Sequence, residues 1–313
     1  MTVKNQEKRS IFCIGETLLD IIFQDGQLIA SKPGGAMLNT AVSLGLAGLN
    51  VELITDFGKD AVGDMIIRFL HGSGVSTTYA DRYQDGKTAL ALAMLDEHQN
   101  ASYSFYKEFP ADRLNLPFPE LKKEDLVIFG SFYALTSGIR DKLKSFILNA
   151  RQQGALVLYD PNFRTPHLPE LQSLKPYILE NIAMADLIRG SDEDFQNIFG
   201  SGNGKEAYMQ VKKSGCERLI YTRAASVEVF YPGNHQVFRN EVIHPVSTIG
   251  AGDAFNAGLL FYLFTKKVRK SKLSLLDKPQ WESMTAMGTS FAKDVCLSYD
   301  NYISKAFAEK LNA

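Results

Sequence analysis

The sequence predicts an α/β fold: a doubly wound, mostly parallel sheet flanked by helices, with a small β-hairpin lid outside it. Three observations lead there. From about residue 125 onward, short apolar runs alternate strictly with helical stretches. Before that point, two pairs of strand-like runs enclose turn residues and read as hairpins. Towards the end, Ser247-Thr248-Ile249-Gly250-Ala251-Gly252-Asp253 feeds directly into the apolar stretch 254–260, as a loop entering a helix does.

Taken in order, the apolar run at 11–14 is a buried strand ended by Gly15-Glu16. Residues 21–29 form two short strands around the Asp25-Gly26 turn. Pro33-Gly34-Gly35 opens a helix over 36–47, whose small residues suit close packing and whose Asn39 lies one turn in. A strand at 51–55 and a helix at 60–70 follow. The runs 88–95 and 101–106 make a second hairpin around Glu97-His98-Gln99-Asn100, and the two hairpins together would build a lid from about 18–32 and 87–107. Strands are then expected at 125–130, 155–160, 184–189 and 218–222, with helices at 138–153, 170–181 and 206–214 between them and a last helical region at 281–297. There is no internal repeat and no low-complexity linker, so a single domain is expected over 1–313.

At 313 residues the length allows two domains, but one α/β body can hold it, and the 45% hydrophobic content supports a large core. A formal net charge of −1 provides no global field for nucleic acid or an anionic membrane. The basic run 266–272 follows an apolar helix and is read as complementing its C-terminal dipole. The 3 cysteines are far apart and the 5 histidines lack ligand spacing, which argues against a disulfide framework or a side-chain metal site. The polar start at 1–10, the short apolar run after it and the lack of 18 consecutive apolar residues lead us to expect a soluble cytoplasmic protein.

The chemistry centres on the loop before the last apolar helix. Gly250, Ala251 and Gly252 carry almost no side chain, so their N–H groups can approach a ligand closely. The first N–H groups of a helix lack partners inside it, and the dipole adds positive character there. Together they suit a phosphoryl group in transfer, with Asp253 placed to take a proton from an attacking hydroxyl. The dipole predicts that Asp253 is ionised at neutral pH, hence a weak base. The competing reading makes Asp253 an ordinary helix cap.

Two glycine patterns are set aside. Gly86-Lys87-Thr88 lacks the first glycine of a P-loop, because position 81 is Asp81. Gly202-Asn203-Gly204 follows a helix-like segment and reads as a turn into a helix. Other polar groups fall where strands should end: Asp20; Gly34, Gly35 and Asn39; Asp160 to Arg164; and Ser191 to Asp194. Each alone is explained by a cap or turn, but their repeated placement at one end of the sheet points to one cleft.

At these residues the sequence resembles a carbohydrate kinase of the ribokinase-like (PfkB) family, with motifs in order from about 11 to 300. Gly34-Gly35-Ala36-Met37-Leu38-Asn39-Thr40-Ala41 is similar to the family's first signature, and Thr248-Ile249-Gly250-Ala251-Gly252-Asp253 to its second. Gly15-Glu16 with Asp20, Phe105-Tyr106-Lys107 followed by Ala111-Asp112 and Leu114, Asp160-Pro161-Asn162 with Arg164, and Ser191 with Asp194 resemble fructokinases.

The resemblance implies ATP-dependent phosphorylation of a sugar hydroxyl, with D-fructose to fructose 6-phosphate as first choice. The alternatives are a 2-keto-3-deoxygluconate, ribose or nucleoside kinase, or a non-catalytic sugar sensor. It implies Asp253 as base and Gly250, Ala251 and Gly252 as anion hole. Asp20, Gly34, Gly35, Asn39, Phe105 and Lys107 would bind the sugar, and Arg164 would face the transferring phosphate. Ser191, Asp194, Thr222, Arg223, Thr248 and Gly252 would lie on the nucleotide side, with 286–290 at the adenine. Mg²⁺ would be held through phosphates and water near Asp194 rather than by a direct ligand, and the family allows a monovalent cation. The implied partners are sugar and nucleotide, not nucleic acid or membrane, and the apolar lid faces suggest a homodimer. Three departures stand out: Ser247 where the family usually has Asp, Lys107 in place of Arg, and Thr222-Arg223-Ala224-Ala225-Ser226-Val227 where Thr-x-Gly-x-x-Gly is usual.

Overall fold

A computed structural model describes residues 9–95 and 101–311. The expected turn at 97–100 and most of the polar start lie outside the described residues. The first half runs β1 (Ile11–Ile14), β2 (Leu18–Gln24), β3 (Gln27–Gly34), α1 (Ala36–Leu46), β4 (Val51–Gly58), α2 (Ala61–Gly72), β5 (Val75–Ser76), β6 (Ala80–Tyr83), β7 (Lys87–Leu95) and β8 (Ala101–Glu108). It continues with β9 (Leu126–Gly130), α3 (Arg140–Gln153), β10 (Leu156–Asp160), α4 (Leu171–Met184), β11 (Leu187–Ser191), α5 (Asp192–Phe199) and α6 (Gly204–Lys213). The last part comprises β12 (Leu219–Arg223), β13 (Ser226–Tyr231), β14 (Asn234–Arg239), α7 (Ala251–Thr265), α8 (Lys270–Leu273), α9 (Lys278–Cys296) and α10 (Lys305–Leu311).

The large sheet has ten strands in the order β14-β13-β12-β11-β10-β9-β1-β4-β5, with β6 added beside β4. Every pairing is parallel except those among β12, β13 and β14. β1 pairs with β4 on one side and β9 on the other, so the strand order reverses at β1. A crevice opens at the carboxyl ends of strands where such a reversal occurs. The expected doubly wound body is therefore present, and it fixes where the ligand cleft lies.

Both faces of this sheet are covered, which is why its strands read as continuous apolar runs. Cys13, Ile128, Leu158, Leu187 and Ile220 share one core with α1, α2, α7 and α9. Ile14, Phe129, Tyr159, Ile188 and Tyr221 share the other with α3, α4, α5 and α6. α7 is buried continuously from Asp253 to Leu263, the consequence of packing against the sheet, α1 and α9 together.

The segments expected to form the lid make a separate four-stranded sheet in the order β3-β2-β7-β8. Each hairpin is antiparallel, and the two join through a parallel β2–β7 pairing that sets Leu18 against Ala89. At the first turn Asp25 and Gly26 have φ of 50° and 73°, the left-handed pair that a two-residue hairpin turn needs.

Two expectations about strands are corrected. The strand placed at 184–189 is Leu187–Ser191, because Ile182-Ala183-Met184 ends α4. A short apolar run does not distinguish a buried helix end from a strand. The hairpin β13–β14 was not foreseen, and it ends the strict alternation. Its own turn, Pro232-Gly233, carries a glycine at φ 74°, whereas the entry turn at Ala224-Ala225 has no positive φ, so no glycine or asparagine marks it. This also accounts for the missing family glycines: the turn strains no alanine, and Val227 is buried in the core. The Gly202-Asn203-Gly204 reading holds, with the Asn203 side chain capping α6.

Candidate active site

Alternation along the strands builds the floor of the site. In β10, β11 and β12, the residues Leu158, Leu187 and Ile220 face α7, so Asp160, Arg189 and Thr222, two positions on, face it too. The sheet thus delivers an acid, a base and a hydroxyl beneath the first turn of α7.

Asp160 is 0% exposed and fully engaged. Its Oδ2 accepts from Arg189 Nη1 at 2.9 Å and from Asn256 Nδ2 at 2.5 Å. Its Oδ1 accepts the Asn162 N–H at 3.0 Å, holding the 160–162 turn. Arg189 Nη2 donates to the Thr222 hydroxyl at 2.8 Å, and that hydroxyl donates to the Gly190 carbonyl at 3.2 Å. The Thr222 side chain is therefore part of the floor.

Ser191 and Asp194 form a capping box at the start of α5. Asp194 Oδ2 accepts from the Ser191 N–H and hydroxyl at 2.7 and 2.6 Å, and Oδ1 accepts the Phe163 N–H at 2.6 Å. Burial raises the Asp194 pKa, with the charge of Asp160 adding to the rise. Oδ1 thus ties the 160–164 loop to α5, while Oδ2 closes the cap of that helix. Arg164 leaves that loop 54% exposed, with Nη1 3.2 Å from Glu193. Burial alone would lower its pKa, but the charges of Asp194, Asp253, Glu193 and Asp160 carry it upward.

Asp253 is not the cap of α7. The cap position is Gly250, at φ 80°, and Asp253 follows three residues later. The Ala251 N–H bonds back to the Thr248 carbonyl at 3.2 Å, and the Ala254 N–H bonds to Gly250 at 2.8 Å. Between them, the Gly252 and Asp253 N–H groups make no hydrogen bond among the described residues. Ser247, in place of the family's Asp, accepts the Ile249 N–H at 3.2 Å and so shapes the entry to the turn.

Asp253 Oδ2 accepts from Asn39 Nδ2 at 2.9 Å, and the Thr40 hydroxyl donates to the Asp253 backbone carbonyl at 3.0 Å. These bonds dock the first turns of α1 and α7, bringing the two signatures together. The expectation that the dipole keeps Asp253 readily ionised is corrected. Burial pushes its pKa up to about 7; Asn39 pulls it down, Asp160 raises it, and Arg164 and Arg189 lower it. Removal from water outweighs the dipole here. A base with this pKa loses function as it protonates, so kcat/KM is expected to fall tenfold per pH unit below about 7 and to level off above it. A pH–rate profile flat from pH 5 to 8 would remove Asp253 as the titrating base.

Asp20 lies within β2, in the small sheet, on the connection that leaves β1. Its carboxylate lies so close to Gly34 that a Cβ there would fall 2.1 Å from Oδ2. Burial pushes Asp20 up to about 6, partly offset by Lys32 and reinforced by Glu16. Lys107, on β8, places Nζ 3.8 Å from Glu16 Oε2 and 4.8 Å from the Phe105 ring centre. Gly35 caps α1 beside them.

The expected site residues are not all in one place. Asn39, Asp253 and the 250–252 turn meet over the Asp160–Arg189–Thr222 floor. Asp20 and Lys107 both lie beside Glu16. Arg223 is bonded to Glu228, whose other oxygen is 2.9 Å from His235. Segment 286–290 lies within α9, where Gly288 packs on Phe255 of α7. Sequence reasoning gave no role to Arg189, Asn256 or Glu16. The signal for the first two was present: one charged residue in a buried strand, and one asparagine inside a helix otherwise apolar on all sides.

A doubly wound sheet, unbonded helix-terminal N–H groups and a buried acid define a phosphotransferase acting on an alcohol. The chain belongs to the pfkB family of carbohydrate kinases, whose model matches residues 8–271. It is a sugar kinase of ribokinase-like fold, close to the fructokinases. It is 28% identical over 276 residues to probable fructokinase-4 of Arabidopsis thaliana, a match covering 83% of this chain and 84% of that one. The fold matches that of Vibrio cholerae O395 fructokinase, solved with fructose, ADP and calcium, at a TM-score of 0.83 and 20% identity over 97% of this chain and 98% of that one. It also matches Salmonella enterica aminoimidazole riboside kinase, solved with its riboside and an ATP analogue, at a TM-score of 0.82 and 20% identity over 97% and 99%.

Proposed function

We propose that this kinase transfers the terminal phosphoryl group of ATP to a primary sugar hydroxyl, with D-fructose as substrate and fructose 6-phosphate as product. The observation that carries this reading is a buried carboxylate, Asp253, beside two unbonded N–H groups at the start of α7. Asp253 takes the proton of the attacking hydroxyl while Asn39 Nδ2 holds its Oδ2 in place. In the Gly250–Gly252 turn the Ala251 N–H is taken by Thr248, so the Gly252 N–H, with that of Asp253, receives charge building on the moving phosphoryl, and Arg164 faces it from the 160–164 loop. Asp20, with Gly34 and Gly35, orients the sugar, and Lys107 and Phe105 close from the lid. Thr248 and Ser191 border the nucleotide.

The residues present fit an anionic nucleotide and its metal. Asn39 Oδ1 and Asn256 Oδ1 are buried without a hydrogen-bond partner among the described residues, and the helix N-terminus is electropositive. Mg²⁺ bound to the phosphates would neutralise their charge. Both oxygens of Asp194 already accept protein hydrogen bonds, so Asp194 would hold the metal through water rather than directly.

Fructose is favoured by the fructokinase relatives. A coupled ADP-release assay over fructose, ribose, 2-keto-3-deoxygluconate and nucleosides tests it, and a nucleoside or ketodeoxy acid preferred over fructose would overturn it. Titration calorimetry with a non-hydrolysable ATP analogue disposes of the sensor reading when binding is seen. Leu28, Ile29, Met94, Phe105 and Tyr106 leave apolar lid surface exposed, and we propose that a second lid covers it in a homodimer. A monomer mass in solution would end that proposal.

A further inference from the structure

Arg189 has no role in the reading above, yet it meets the start of α7 from behind at two points and reaches it at a third through Asp160. A Cβ on Gly252 would lie 2.7 Å from Arg189 Nη1. The guanidinium carbon is 5.5 Å from the Phe255 ring centre. Through Asp160 Oδ2, which it shares with Asn256, Arg189 reaches the second turn of α7. Its other nitrogen is anchored on Thr222, so its plane is fixed at both ends. We propose that Arg189 is a positioning residue for phosphoryl transfer: wedged between Asp160, Thr222 and the Gly252 backbone, it sets where the α7 N-terminus and Asp253 stand relative to the sheet.

A purely structural ion pair is the competing account, and a buried pair is weak evidence for stability in itself. The location decides. The pair lies under Gly252, whose N–H is unbonded, and its positive member adds fixed charge behind that N–H. The charged and polar groups facing Asp253 are Asn39 from α1, Asp160 from β10, Arg164 from the following loop and Arg189 from β11. Removing Arg189 leaves Asp160 as an uncompensated negative neighbour, which favours the protonated form of Asp253.

The inference rests on Asp253 as base, and the test separates the two. Arg189→Met and Arg189→Lys are compared with the full enzyme for kcat, sugar KM and the acidic limb of the rate profile. Arg189→Met is expected to lose roughly 10²-fold in kcat, with KM little changed and the limb moved to higher pH. Arg189→Lys keeps the charge without the two-ended anchor; it is expected to keep the wild-type limb and recover part of kcat. Should Arg189→Met not fold, the lysine variant still decides: a limb displaced upward, or a full wild-type kcat, overturns the proposal. A folded methionine variant with lowered thermal midpoint but unchanged kcat and limb shows a structural pair only, and also overturns it. Asp253→Asn run alongside distinguishes the failures. Normal turnover there removes the base, whereas a large loss there with unmoved Arg189 variants removes only the positioning role.

Discussion

Asp253→Asn is expected to lower kcat by about 10³-fold and to leave sugar KM within about a factor of two. The substitution keeps an oxygen to accept from Asn39 Nδ2, so the α1–α7 contact survives while the proton acceptor is lost. The residual rate of the variant should be flat across pH, because the titrating group is gone, so the loss relative to wild type is largest above about pH 7 and shrinks below it. Stability gives an independent check. Burial raises the folded Asp253 pKa from 3.8 to about 7, so the folded state holds this proton more tightly than the unfolded chain does. That contribution is complete below about 4 and is lost as pH rises to about 7. The asparagine variant carries no such charge, so its thermal midpoint should exceed that of the wild type at pH 8 and match it near pH 4. A variant that is inactive and also less stable at pH 8 would show that Asp253 is held for packing, not for chemistry.

The same conflict between local rule and tertiary setting decides what the sequence revealed. The helix dipole and the glycine turn were legible because they are local: three residues and one helix start suffice to place N–H groups. The alternation from β9 onward was equally legible, and with it the end of the sheet where ligands belong. The Asp253 pKa was not. It depends on burial by α1, on Asn39 far away in sequence and on Asp160 under the helix, none of which lies within its own turn. Arg189 was missed for a related reason. In the run Leu187-Ile188-Arg189-Gly190-Ser191 a lone arginine reads as the end of a strand, and only pairing β11 with β10 and β12 puts it between Asp160 and Thr222. The β13–β14 hairpin escaped because the turn that enters it, Ala224-Ala225, uses ordinary negative φ and leaves no mark in residue choice, although its own Pro232-Gly233 turn, with Gly233 at φ 74°, does carry a signal.

Gly252→Ala should produce the second large effect, with stability behaving oppositely to activity. Gly252 lies inside α7 with no left-handed φ, so alanine fits its backbone and gains up to about 1 kcal/mol of helix propensity. The new methyl, however, falls 2.7 Å from Arg189 Nη1. That atom is no loose end: it is bonded to Asp160, while its partner nitrogen is bonded to Thr222. The cheaper response is for the first turn of α7 to move off the sheet, carrying the Gly252 and Asp253 N–H groups with it. A displacement on the order of 1 Å at a transfer centre costs roughly 10²-fold in rate. We therefore expect a folded protein with an unchanged or higher thermal midpoint, sugar KM near wild type and kcat down by about that factor. Gly250→Ala is the contrast, since its φ of 80° and the Asn301 carbonyl 2.6 Å from the new Cβ make that variant lose stability as well. Wild-type turnover in Gly252→Ala would mean that the phosphoryl group does not depend on this turn, and the anion hole would have to be sought elsewhere in the cleft.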